Sequence, residues 1–513
     1  MAQSTEDIRR FLPDTYILLS VMTVSALAVL YVLFVLPLNH IPGPFLAMFT
    51  DLWRLFSVLT RRAEKQQRHM HDTLGPAVRL GPNMVSISDP AMINTIYSRN
   101  NLLLKSDFYA VNDLNLNGRR VHNIFSTRDE HYNTKVIKPI IKLFSMSHLL
   151  KMEALVDNTI LLFMKRLDED FASTGNTCDM AAWLHYCAAD VISDITFGKR
   201  LGFLEQGIDI QGMCKIGYNA MDYFSVVGMM PWLDLLLDKN PVKRIGPPVF
   251  APLVNFALKR IEERCSGTEN RDETPTVDFL DGFLEAKKQF PDSVTDDTVL
   301  AYLIANVAAG SDAVAIELRS ILYHLCKDKA TMNRLQAELD HANAQVPISW
   351  AQTQTMPYLC ACVEEGIRLM PGISLPLERV VGKDGMTLCD QRTVLPPGTK
   401  VGINPWVVNR DRAAFGEDPH GFHPERWLIA KGESDNDYQK RITRMHSSNL
   451  TFGAGKRQCA GRNLALLECH KIIGTLVRTF DIELADPSKD WTTINSWFIR
   501  QKDMDMVFKK RIL

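Results

Sequence analysis

The sequence predicts a mainly α fold with a small β part, built as one large domain and preceded by an N-terminal transmembrane helix. Three observations predict it. Apolar residues recur at helical spacing through most of the chain, strand-like alternation is confined to a few short stretches, and no linker rich in Pro, Gly or Ser divides the body, although 513 residues would allow several domains. No internal repeat is found.

The elements follow in order. Residues 1–15 form a mixed-charge tail. Tyr16 to Leu38 holds 23 residues without a charge, long enough to cross a hydrocarbon core as a helix. A cleaved signal peptide is the rival reading, but the apolar run is too long for one and lacks a small-residue exit. Beyond it lie Arg54, Arg61, Arg62, Lys65 and Arg68, which places the body on the cytosolic side of a single-pass signal anchor at 16–38. Residues 37–48 contain Pro37, Pro42 and Pro44 and read as a stiff, extended hinge, leaving 49–513 as the catalytic domain. Within it, strands are expected at Pro82 to Ser88, Thr393 to Leu395 and Thr399 to Ile403. Helices are expected over Leu149–Phe171, Met180–Phe197, Asp296–Cys326, Lys329–Ala342 and Met356–Leu369.

The formal charge is -1, from 58 basic and 59 acidic residues, so nothing electrostatic favours nucleic acid as a partner. Ten cysteines are scattered without the spacing of a zinc site or a disulfide framework, and most read as small core residues in a reducing compartment. Cys360 and Cys362 form the closest pair, on a helix whose pattern already accounts for them.

One cysteine differs. In Phe452-Gly-Ala-Gly-Lys-Arg-Gln-Cys459-Ala-Gly461, Cys459 stands among glycines and cations just ahead of a helix-like run. Arg457 and that helix N-terminus favour the thiolate, the form that ligates a metal. A phosphate-loop reading of Gly-Ala-Gly-Lys fails, because the glycine spacing is wrong and Arg457 occupies the hydroxyl position. The pattern Phe452-x-x-Gly455-x-Arg457-x-Cys459-x-Gly461 resembles the haem-binding signature of the cytochrome P-450 family, with all five fixed positions matched. The resemblance implies haem b as cofactor, with Cys459 as the axial metal ligand.

Further motifs follow in the family's order. Glu365 and Arg368 stand three apart on one helix face, and Arg426 follows in Pro424-Glu-Arg-Trp427. The resemblance implies that Glu365, Arg368 and Arg426 form a structural ion-pair network bracing the haem region. It also implies that Arg457 and Arg379 grip the haem propionates, as guanidinium groups suit carboxylates. His131 and Lys135, four apart, stand where the family has Trp or His followed by Arg. Lysine keeps the charge and loses the fork; otherwise His131 is a capping or surface residue.

The long helix contains Ala308-Ala-Gly310-Ser-Asp312-Ala313-Val314. Glycine inside a helix costs about 1 kcal/mol relative to alanine, and close approach to a flat ligand would account for Gly310. The family has two hydroxyl residues after the acid that manages protons for bound dioxygen. Here Asp312 is kept, but Ala313 and Val314 take the hydroxyl positions, so the usual relay is incomplete. Ser311 or a substrate hydroxyl could hold the water instead. Alternatively the enzyme is a dioxygen-independent haem-thiolate isomerase or dehydratase, which needs no relay; a non-catalytic haem sensor is a more distant alternative.

Taken together the resemblance implies a single cytochrome P-450 fold and a membrane-anchored monooxygenase of the endoplasmic reticulum. Such an enzyme inserts one atom of dioxygen into a lipophilic small molecule. Asp190 to Gly198 and the Gly310 region resemble fungal microsomal, pisatin demethylase-like members of secondary metabolism. Electrons would come from NADPH through a separate reductase, since no flavin or nicotinamide fingerprint is present. Lys456, Arg462 and Lys471 are candidates for its docking face. The substrate would be walled by Ala305–Ala313, Ile373–Leu377, Ser106–Val121 and Thr493–Phe498. Met229 to Trp232 reads either as an entry lip at the membrane or as core.

Overall fold

The computed structural model describes residues 37–100, 103–116, 119–247, 250–268 and 277–512, together with 16, 18–24, 26, 27 and 30. Residues 17, 25, 28, 29 and 31–36 of the expected span at 16–38 fall outside them; the described residues from Tyr16 to Leu30 are helical and exposed. Among the described residues, the one helix long and apolar enough to cross a membrane is Asp296–Lys327, and most of it is buried in the protein core.

The helices that position the site are α1 (Leu52–Leu59), α2 (Ala63–Leu74), α3 (Glu130–Ile137), α4 (Glu153–Leu167), α5 (Met180–Phe197), α6 (Met213–Val227), α7 (Trp232–Leu236), α8 (Asp296–Lys327), α9 (Lys329–His341), α10 (Pro357–Leu369), α11 (Asp435–Ser448) and α12 (Arg462–Thr479). Their limits follow from the sequence. Thr295 caps α8 through the Thr298 amide, Asp296 and Asp297 occupy its first turn, and His324 and Lys327 its last. Asp179 caps α5, which ends at left-handed Gly198. Pro357 opens α10, where its missing N–H costs nothing.

The strands are β1 (Ala77–Gly81), β2 (Met84–Ile87), β3 (Leu104–Lys105), β4 (Cys178–Asp179), β5 (Arg379–Val380), β6 (Lys400–Ile403), β7 (Phe480–Leu484) and β8 (Asp505–Lys510). A five-stranded sheet has the order β1-β2-β6-β5-β3, and β7-β8-β4 form a second sheet. In the first, β6 runs parallel to β2 with Val401 opposite Val85, and β5 pairs antiparallel with both neighbours, so Arg379 faces Val401 on one side and Lys105 on the other.

The main core lies where α4, α5, α8, α10 and α12 meet, and a smaller one lies under the five-stranded sheet. The smaller core corrects the hinge. Leu38 and Ile41 are buried in it beside Val85 and Ile403, and the Pro42 carbonyl accepts from the Arg79 amide at 2.8 Å. Residues 37–48 therefore begin inside the folded body and do not act as a free spacer. Gly310 is corrected as well. A Cβ there would come within 2.8 Å of Ile192 Cγ1, so the missing side chain serves the close approach of α5 to α8, not a flat ligand.

Candidate functional site

Cys459 sits on a tight loop between α11 and α12. The loop is held by a bond from the Cys459 amide to the Phe452 carbonyl at 2.8 Å. Gly453 and Gly455 are left-handed, with φ of 66° and 68°, and a Cβ at Gly455 would strike the Tyr97 carbonyl. Glycine at 455 thus has two reasons, conformation and space. Gly461 leads into α12, and a Cβ there would stand 3.9 Å from Cys459 Sγ. Cys459 presents open surface. Burial pushes its thiol up to about 11; the Gly461 and Arg462 amides and the Arg462 charge favour the thiolate.

The brace behind this loop is complete. Arg368 meets Glu365 through two bonds of 2.8 Å, and Arg426 Nε adds a third at 2.8 Å. Trp427 Nε1 at 2.8 Å and the His423 amide at 2.9 Å also donate to Glu365, saturating its oxygens. Arg368 donates onward to the carbonyls of Asn409, Pro419 and Gly421. Burial alone would raise the Glu365 carboxyl; Arg368 and then Arg426 outweigh it and hold the group below the ordinary range. Asn409 carries the brace forward, accepting from the Leu450 amide and donating to Thr451 Oγ1, both at 2.8 Å, at the start of the cysteine loop. Asn409 lies outside the sequence motifs, and Trp427, the last residue of Pro424-Glu-Arg-Trp427, is given no role by them.

A cluster of cations lies beside the loop. The register of β3 on β5 places Lys105 opposite Arg379, and like charges so placed repel unless an anion joins them. The Lys105 ammonium donates to the Phe125 carbonyl and lies 4.2 Å from the centre of the Tyr109 ring. Burial, then Arg379 and Arg457, push its titration well down. Arg457 bonds Glu130 at 2.8 Å and the carbonyls of Ile124 and Thr127. Glu378 pairs with Arg54 and Ser106. Lys105, Arg379 and Arg457 thus gather three basic groups beside one acid, Glu130. Sequence reasoning missed Lys105. It proposed His131 and Lys135 instead, but both are exposed, and Lys135 donates to the Asp292 carbonyl at 2.9 Å, joined by no bond to this cluster.

In the middle of α8, Ala309 is exposed, and Ala305 and Ala313, four residues to either side, are half-buried, as are Asn306, Ala308, Gly310 and Asp312. Ser311 is buried and bonded back to the Ala308 carbonyl. Asp312 turns towards His185 on α5. Gly372 packs against Ala313, a Cβ there falling 3.6 Å from the alanine's own. Three of the four expected wall segments then converge. Phe108, Leu375 and Trp497 share one apolar cluster with Phe224, and Trp497 lies 5.3 Å from Phe108 and 5.1 Å from Phe224, ring to ring. Met229 is buried in that cluster, whereas Trp232 is exposed, so the Met229–Trp232 stretch divides between core and surface.

The family model for cytochrome P450 matches residues 44–507. The chain belongs to the cytochrome P450 family. It is 36% identical over 482 residues to cytochrome P450 monooxygenase cfoH of Aspergillus candidus, covering 93% of this chain and 89% of that one. It is 39% identical over 471 residues to cytochrome P450 monooxygenase cicH of Emericella nidulans, covering 90% and 92%. A cytochrome P450 monooxygenase of Aspergillus terreus is 40% identical over 456 residues, covering 87% and 91%. This cytochrome P450 is thus an oxidoreductase whose family uses haem iron with a cysteine thiolate and electrons from a reductase. The residues fit that cofactor: an exposed thiol on a glycine loop and, beside that loop, the basic side chains Lys105, Arg379 and Arg457 for two propionates.

One expected docking residue is displaced. Lys471 is fully buried in α12, paired with Glu153 and Asp157. Lys456 is drawn to Glu130 at 3.5 Å, whereas Arg462 lines a cavity of about 430 Å³ with Arg99, His446 and Gln458.

Proposed function

We propose that this cytochrome P450 is a membrane-anchored monooxygenase of fungal secondary metabolism. It places one oxygen atom of O2 into a lipophilic small molecule by hydroxylation, demethylation, epoxidation or desaturation. The observation that carries the reading is the Cys459 loop, with its left-handed glycines and its buried Glu365–Arg368–Arg426 brace, in a chain of the cytochrome P450 family. Bound haem supplies the oxygen chemistry, favoured by the thiolate's electron density. Cys459 would hold the haem iron through its thiolate, and Lys105, Arg379 and Arg457 would meet its propionates. Glu365, Arg368 and Arg426 keep the loop rigid through Asn409.

The aromatic cluster of Phe108, Phe224 and Trp497, next to Ile373 and Leu375, supports an apolar substrate and keeps water from it. Asp312 is the proton-handling acid, and Ala313 leaves that place to water or to a substrate hydroxyl. The monooxygenase names of the relatives favour this reading over an isomerase or dehydratase.

Anchoring at 16–38, with the body on the cytosolic face of the endoplasmic reticulum, is supported by a second feature. Phe45, Leu52 and Phe56 near the start of the body, and Trp232, Leu235 and Leu236 on α7, are all exposed. Arg61, just past α1, bonds Asp222 of α6 at 2.8 Å, which brings the two apolar edges to one side of the molecule, where they can enter a bilayer surface. The NADPH-dependent reductase docks on the cysteine side, around Arg99, His446 and Arg462.

The test is product mass spectrometry from membranes holding this protein and a reductase, fed lipophilic metabolites under heavy-isotope dioxygen. Label in the product is expected. An unlabelled isomer formed without NADPH would refute the reading.

A further inference from the structure

Asp312 does not end at the α8 surface. Its Oδ1 lies 2.9 Å from His185 Nε2 of α5, and His185 Nδ1 lies 3.0 Å from the Tyr218 hydroxyl of α6. The His185 side chain is 4% exposed and that of Asp312 11%, while Tyr218 is half-buried, so the chain of bonds runs from beside Ala313 towards the surface. α6 comes close enough that a Cβ at Gly217 would lie 3.5 Å from Asp312 Oδ2. The other charged or titratable groups facing this chain are Arg319 of α8, which binds the Ala181 carbonyl at 2.8 Å, Tyr186 of α5, Cys214 of α6, and Arg500, whose guanidinium stands 5.1 Å over the Tyr218 ring.

We propose that Tyr218, His185 and Asp312 form the proton path into the oxygen site of this enzyme, with His185 as the donor to Asp312. The inference rests on the reading of Asp312 as the proton-handling acid. A carboxylate only accepts, so in the resting state His185 carries its proton on Nε2, and Nδ1 accepts from Tyr218. From this state His185 gives the Nε2 proton to Asp312 Oδ1 and takes one at Nδ1 from the Tyr218 hydroxyl, which solvent reprotonates; Asp312, now protonated, releases that proton to water beside Ala313 and is a carboxylate again. Tautomer exchange then returns the ring to the Nε2–H form. No electron moves, and one proton enters for each that leaves. The missing hydroxyl at 313 affects only the last step, because a built donor chain already stands one residue away. A positioned donor of this kind commonly contributes a factor of about 10² to 10⁴.

The test uses the full-length, haem-loaded protein with NADPH and a reductase, and dioxygen alone as probe. One NADPH per O2 gives peroxide; two give water, which demands more protons. Tyr218→Phe cuts the outer link, and His185→Gln keeps a donor to Asp312 but cannot relay. Each is checked by its ferrous carbon monoxide spectrum for intact fold and thiolate. In both, the peroxide released per NADPH is expected to rise at least threefold. The solvent deuterium isotope effect on the NADPH-to-water turnover is expected to differ from the parent's in both variants, which a merely structural change would not produce. If Asp312→Asn raises peroxide while neither of the other variants does, the path is refuted and the role of Asp312 stands. If Asp312→Asn itself changes nothing, both fall.

Discussion

Glu317 offers a quantitative test of the core behind the site. It lies in α8, one turn beyond Ala313, buried, with Cys469 Sγ of α12 at 3.8 Å from Oε2 and no cation in contact. Burial pushes its carboxyl from the ordinary 4.5 up to about 8. Glu468 on α12 is pushed up in the same way, by burial and then by Glu317. Below pH 4.5 the folded and unfolded chains both hold the Glu317 proton. Between 4.5 and 8 the unfolded chain loses it while the folded chain keeps it, so stability falls as pH rises, and the full loss is reached above 8. At 1.36 kcal/mol per pH unit the window amounts to about 5 kcal/mol. Glu317→Gln does not titrate. Its stability relative to the parent should therefore climb by roughly 4 kcal/mol between pH 5 and pH 8, whatever constant offset the amide introduces. Urea midpoints of the haem-loaded proteins across that range measure it. Parallel curves would refute the assignment of a neutral, buried carboxyl.

Three further outcomes follow from the brace and the cradle. Glu365→Leu leaves Arg368 and Arg426 buried without their acid and should cost about 3–5 kcal/mol in denaturant unfolding, with haem loss. Because the Glu365 carboxyl is held low, its contribution is present above the ordinary carboxyl range and should vanish as pH falls through its lowered folded value. Gly455→Ala forces a side chain onto the Tyr97 carbonyl at a left-handed position and should abolish the thiolate carbon monoxide spectrum while leaving far-ultraviolet circular dichroism near native. If Lys105 meets a propionate as proposed, Lys105→Gln removes one charge-assisted bond, about 1.5–3 kcal/mol, and should speed haem transfer to an acceptor apoprotein by about 10- to 100-fold.

The motifs that local chemistry dictates were legible in the sequence. The Cys459 loop, the Glu365–Arg368 spacing and the limits of α5 and α8 depend on neighbours within a few residues, and the structure places them as read. Residues whose role depends on distant pairing were not legible. Lys105 meets Arg379 only through the register of two-residue strands far apart in the chain, and Asn409 joins the brace to the loop from a segment without a motif. Lys471 was read as a surface cation because charge on a helix is usually solvated; α12 is buried all round, and Glu153 and Asp157 of α4 reach in to meet it. At Gly310 the sequence showed that something approaches closely, but only packing identified it as Ile192.

The most direct measurement is the carbon monoxide difference spectrum of the reduced protein beside Cys459→Ser, with Cys469→Ser as control. Cys459 as axial thiolate predicts the strongly red-shifted band of a thiolate complex in the parent and in Cys469→Ser, and its loss in Cys459→Ser. Retention of that band in Cys459→Ser would contradict the account.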